Sequence, residues 1–86
     1  MRAGRIEVYV HSDSATENKG ACVLAVVAKS DFAARTEAFI GFARKAAAGA
    51  WADVAAAFPE IEGERAALSA ALKEPVEVCD IVRVAL

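Results

Sequence analysis

Few residues in this chain carry reactive groups, and their spacing decides what those groups could do. His11 is the only histidine, and Ser12 and Asp13 follow it directly. A nucleophile, its base and an orienting carboxylate must converge in space, and three consecutive residues at a strand end do not take up that geometry. His11 therefore reads as a structural or surface histidine. Cys22 and Cys79 form no C-x-x-C pair, and with one histidine they supply too few ligands for a zinc site unless carboxylates join them. Two buried thiols in a reducing compartment are expected instead. Glu60, Glu62 and Glu64 are two apart, a spacing that does not place neighbours on one helix face, so they read as the solvated start of a helix. No P-loop, Gly-x-Gly-x-x-Gly or Gly-x-Ser-x-Gly occurs. The expectation is a protein without a catalytic residue, metal or cofactor, and not an enzyme.

The most informative segment is Ser30-Asp31-Phe32-Ala33-Ala34-Arg35-Thr36-Glu37-Ala38-Phe39. It falls between a strand-like run and a helix-like run, where a rigid scaffold often displays functional side chains. Two readings compete. Asp31 and Phe32 could be presented to a partner, or Asp31 could cap a turn while Phe32 joins the core.

The elements that would position this segment follow from periodicity. Residues 5–11 alternate, with Ile6, Val8 and Val10 opposite Glu7, Tyr9 and His11, which predicts a half-buried strand. Residues 12–21 are polar, contain Asn18 and Gly20, and predict a loop. Residues 22–28 are wholly apolar, as in a strand buried on both faces, so a hairpin with a long connection is expected. Thr36 is the expected N-cap of a helix with Glu37 in its first turn. Phe39, Phe42 or Ala43, and Ala46 give that helix an apolar stripe, and Gly49 is its expected left-handed end. Residues 51–58 predict a short helix ended by Pro59. Gly63 is a weak point, and residues 64–73 predict a helix with Leu68 and Leu72 on one face, stopped by Pro75. Residues 76–84 alternate again as a final strand. There Val76, Val78, Val82 and Val84 share a face with Asp80, a misfit that marks a bulge or an edge position. The order ββαααβ predicts an α+β fold, a three-stranded, mostly antiparallel sheet with helices on one face, in one domain over residues 1–86.

Composition narrows the partners. Ten basic against twelve acidic residues leave a net charge of −2, so no basic surplus exists to neutralise nucleic-acid phosphates. No run of eighteen apolar residues is present, which excludes a membrane-spanning helix of ordinary length. Residues 1–5 lead straight into the first strand without an apolar signal core, so a cytoplasmic location is expected. Hydrophobic residues make up 57% of the 86, much of it alanine, which predicts tight helix packing and a second chain over leftover apolar surface.

Residues 30–39 resemble a known family. Elongation factor Ts proteins carry a stretch close to Thr-Asp-Phe-Val-Ala-Arg, followed by a polar pair, an acidic residue and Phe. Tyr9-Val10-His11 is similar to the family's Tyr-Ile-His strand end, residues 20–26 to its Gly-x-x-Val-Leu-x-Val strand, and residues 76–86 more loosely to its final strand. Motif identity covers about ten residues, and the element order agrees over most of the chain. Where the family usually has Asn, then Cys or Ser, then Glu, this chain has Val27, Ala28 and Lys29, and Ser30 replaces Thr. The family's N-terminal helical module and the second half of its longer members' core have no counterpart in these residues. The resemblance implies a guanine-nucleotide exchange factor that binds elongation factor Tu. It implies Asp31 and Phe32 as the inserted pair, with Ser30 and Arg35 beside them. It also implies a homodimer, as in short family members, formed through the sheet by residues 22–28 and the final strand. The alternative is a binding-only or dimerisation module that holds elongation factor Tu without efficient exchange.

Overall fold

Three strands carry the architecture, and the central one is the apolar run. The computed structural model describes residues 3–86. Strand β1 (Ala3–His11) pairs antiparallel with β2 (Gly20–Ala28), and β2 pairs antiparallel with β3 (Val76–Ala85), giving the sheet order β1-β2-β3. Between β2 and β3 run α1 (Asp31–Ala34), α2 (Glu37–Ala52) and α3 (Val54–Leu72). The fold is α+β in the order ββαααβ, with the helices on one side of an antiparallel sheet.

The core lies between β2 and the helices. Cys22, Leu24, Val26 and Ala28 are buried on the helix side of β2, against Phe39, Phe42, Ala43, Ala46, Ala47 and Ala50 of α2. Small alanines let α2 sit close to the sheet while the two phenylalanines supply the buried area. Ile61 and Leu68 of α3 and Val76 of β3 complete the cluster, with Leu72 packed at its margin. The other side of β2 is only half-buried, so the apolar run is covered by helices on one face, not on both.

The faces of the edge strands differ from expectation. In β1 the residues toward the helices are Arg5, Glu7, Tyr9 and His11, paired with Val26, Leu24, Cys22 and Gly20, while Ile6, Val8 and Val10 point to the bare face. Period two identifies a strand but does not say which side is the core. The polar side turns inward because its groups find partners there. Arg5 Nε lies 2.6 Å from Glu7 Oε2, and Arg44 of α2 lies 3.9 Å from Glu7 Oε1. Tyr9 and His11 join the ring of Trp51. In β3 the register shifts between Val78, opposite Val26, and Asp80, opposite Ala25, which leaves Cys79 as the extra residue of a bulge. Val76 and Val78 thus face the helices, whereas Asp80, Val82 and Val84 face out, so the four valines do not share one side. Of the bulge or edge position anticipated at Asp80, the bulge falls one residue earlier, at Cys79, and Asp80 itself lies on an edge strand.

The helix boundaries also differ. Thr36 caps α2 as expected, its Oγ1 accepting from Phe39 N at 3.2 Å. The helix does not end at Gly49, which has no positive φ. It runs to Ala52, where Asp53 closes α2 and caps α3, its Oδ1 accepting from Ala56 N at 3.1 Å. Pro59 lies inside α3 instead of ending a helix, and Gly63 lies inside it too. A proline near the start of a helix already capped upstream removes one hydrogen bond, and the burial of Ile61 and Leu68 holds the remainder together. Glu60 and Glu64 are therefore mid-helix and four apart on one face, where both reach Lys45 of α2, at 3.7 and 2.6 Å. The bond to Glu64 raises the pKa of Lys45. The left-handed residue that ends α3 is Lys73, with φ 58°.

Candidate functional site

The segment 30–39 folds as a turn that projects from the end of the sheet. Ser30 leaves β2 in an extended conformation, and its Oγ accepts from Ala33 N at 3.2 Å, capping the single helical turn α1. Within that turn Ala33 is buried and Phe32 is 81% exposed. Arg35 closes the turn through its backbone N–H, which reaches the carbonyls of Asp31 and Phe32 at 3.1 and 3.2 Å. Thr36 Oγ1 donates to Ala33 O at 2.8 Å, tying the turn to α2. The backbone of the tip is thus specified on both sides, and the side chains of Asp31, Phe32 and Arg35 are left on the outside.

Of the two readings of Phe32, the core reading is the one the geometry excludes. The core aromatics of this segment and the helix after it are Phe39, which is fully buried, and Phe42. Asp31 is not used as a cap either, since Ser30 performs that role. Among the described residues the Asp31 carboxylate and the Arg35 guanidinium make no ion pair. Ser30 stands apart from the other three. Its hydroxyl is committed within the fold, lying 3.2 and 3.0 Å from Glu74 Oε1 and Oε2, and its N–H donates to Glu74 Oε1 at 3.0 Å. The hydroxyl proton and one of the hydroxyl's acceptor positions are used inside the fold, so Ser30 supports the tip.

The remaining reactive groups do not assemble into a second site. Ser12 Oγ accepts from Asn18 N, and Asp13 accepts from Ala15 N and Thr16 N and pairs with Lys19. These bonds, the one from Thr16 first, hold the Asp13 carboxyl below its ordinary value. His11 stacks on Trp51 at a centroid distance of 5.0 Å and lies 3.3 Å from Tyr9 Oη. Arg83 covers the same indole at 4.3 Å. Cys22 is buried as expected, and burial raises its pKa. Cys79, at the bulge, is exposed, contrary to expectation. Among the described residues no group of three or more His, Cys, Asp or Glu side chains could hold a metal ion, and no helix is long and apolar enough to cross a membrane.

Two features were not anticipated from the sequence. One is Glu74, 44 residues from Ser30, for which no local signal points to its partner. The other is the make-up of the bare sheet face, where Val10, Ala21 and Val84 form one cross-strand row and Val8, Val23 and Val82 the next. The valines were visible in the sequence, but their shared orientation depends on the bulge at Cys79. Compared with models of known protein families the chain matches none, and no curated protein matches it.

Proposed function

We propose that this chain binds elongation factor Tu in the cytoplasm by inserting Phe32 and Asp31, and that this insertion promotes release of GDP. The observation that carries the proposal is the tip itself. A phenylalanine 81% exposed sits on a turn whose backbone is fixed on both sides, next to a carboxylate that makes no hydrogen bond or ion pair among the described residues. An exposed anchor held rigid loses little conformational freedom on binding. Burying the Phe32 ring in a pocket of the partner contributes on the order of 2 kcal/mol. The resemblance of residues 30–39 to elongation factor Ts supports elongation factor Tu as the partner. Asp31, brought near the partner's magnesium, would disturb the polar network that holds the ion and with it the grip on the GDP phosphates. The chain needs only to bind the opened form of the partner better than the closed one, which shifts the population without a covalent step. The test is titration calorimetry of the chain into nucleotide-free Tu. A complex that Phe32→Ala weakens supports the proposal, and an unchanged affinity refutes it.

A second reading, a self-pairing module that holds Tu without emptying its site, draws on the bare sheet face. Ile6, Val8, Val10, Val82 and Val84 are each at least half exposed there. With the small residues between them they offer on the order of 500 Å² of contiguous apolar surface, toward the upper end of what a monomer ordinarily exposes. Two such faces would bury about 1,000 Å², the lower bound for a specific interface. Tight Tu binding with unchanged GDP release would select this reading.

A further inference from the structure

We infer that Glu74 is a positioning residue for the Asp31–Phe32 tip, clasping it from the far end of the chain. The inference rests on the reading that this tip meets the partner, but the clasp is a structural feature with its own readout.

Three donors from two adjacent residues converge on the Glu74 carboxylate. Lys29 N and Ser30 N each lie 3.0 Å from Oε1, and Ser30 Oγ lies 3.0 Å from Oε2. The Ser30 hydroxyl donates to Glu74 while accepting from Ala33 N at 3.2 Å, so the carboxylate, the hydroxyl and the first turn of α1 form one chain of hydrogen bonds. Charge-assisted bonds of this kind are about twice as strong as neutral ones. Glu74 is itself held. Its N–H reaches Ser69 O at 3.3 Å, its carbonyl accepts from Ser69 Oγ at 2.7 Å, and it lies between left-handed Lys73 and Pro75. Two residues on, Val76 is buried and paired with Ala28. The clasp therefore transmits the rigidity of the α3–β3 corner to the residues that present Phe32. The carboxylate takes both donors of the cap residue Ser30, its N–H and its hydroxyl, together with the N–H of Lys29, so it holds the entry to the tip and not only the end of the sheet.

The test is amide hydrogen exchange by NMR on the chain alone, combined with Tu affinity. Glu74→Ala is expected to speed exchange at Lys29, Ser30 and Ala33 by about tenfold while amides of β2 and β3 stay protected. Glu74→Gln, which keeps one acceptor oxygen, should fall between. Ser30→Ala, should Glu74→Ala not fold, is expected to speed exchange at Ala33 alone. On Tu, Glu74→Ala is expected to weaken binding about tenfold, and to add little in the Phe32→Ala background, because the two residues act through one contact. Unchanged exchange at Lys29 and Ser30 overturns the clasp. Accelerated exchange with a fully additive effect on binding overturns the positioning role. A wild-type chain that does not bind Tu refutes the proposed function, and exchange then judges the clasp separately.

Discussion

The ring of Trp51 rests on the backbone of Gly20, so close that a Cβ at position 20 would overlap both Cη2 and Cζ3 of the indole. His11 of β1 stacks on that indole and Arg83 of β3 covers it, with Arg83 Nε donating to Trp51 O at 2.6 Å. The last turn of α2 is thus seated on all three strands at once. Gly20→Ala should displace the ring and destabilise the fold by about 1–3 kcal/mol, the usual effect of overpacking. Urea unfolding followed by Trp51 fluorescence measures this, with a red-shifted native emission expected. A mutant with the wild-type midpoint and emission would show that the ring has room to move.

Phe32 and Phe39 are seven residues apart and opposite in role. Phe32→Ala should leave stability within about 0.5 kcal/mol of wild type. Phe39→Ala, which empties a fully buried site, should cost about 3–5 kcal/mol. Chemical denaturation of both variants compares them. Comparable losses at the two positions would mean that Phe32 is packed in the folded chain.

Self-association through the bare sheet face places Val8, Val23 and Val82, one cross-strand row, in the interface. Val8→Glu puts a charge into that row without touching the helix side. Sedimentation velocity at tens of micromolar protein should show wild-type dimer and mutant monomer. A wild-type monomer under those conditions removes the interface.

Asp13 makes a pH-dependent contribution of definite sign. Its carboxyl is held below the ordinary value of 3.8 by the Thr16 and Ala15 N–H groups and Lys19. Its stabilising effect is therefore fully present above that ordinary value and is lost as pH falls through the lower native one. Asp13→Ala should be less stable than wild type at pH 7, and the difference should shrink on strong acidification. A gap that stays constant, or widens, in acid would contradict this, with paired urea titrations as the measurement.

How much of this was legible depended on the range of the interaction. The strands, the Thr36 cap and the break at residues 29–32 were readable, because alternation, a hydroxyl before an acidic first turn and a polar break after an apolar run are local signals, whereas the choice between an exposed and a buried Phe32 needed the packing of α1. The side of β1 that faces the core was not, because Arg5, Glu7, Tyr9 and His11 turn inward only when Arg44 and Trp51 of α2 receive them. Pro59 misled for a similar reason: a cap at Asp53 and contacts from Lys45 sustain a helix that proline alone would end. Glu74 was beyond reach, since its partners lie across the whole helical segment.

The most direct test of the central claim is the rate of labelled GDP release from elongation factor Tu. Wild-type chain should accelerate release, and the double substitution Asp31→Ala, Phe32→Ala should return it to the spontaneous rate while the chain stays folded. Equal acceleration by the wild type and the double mutant would contradict insertion of the tip, and no acceleration by either would contradict exchange activity.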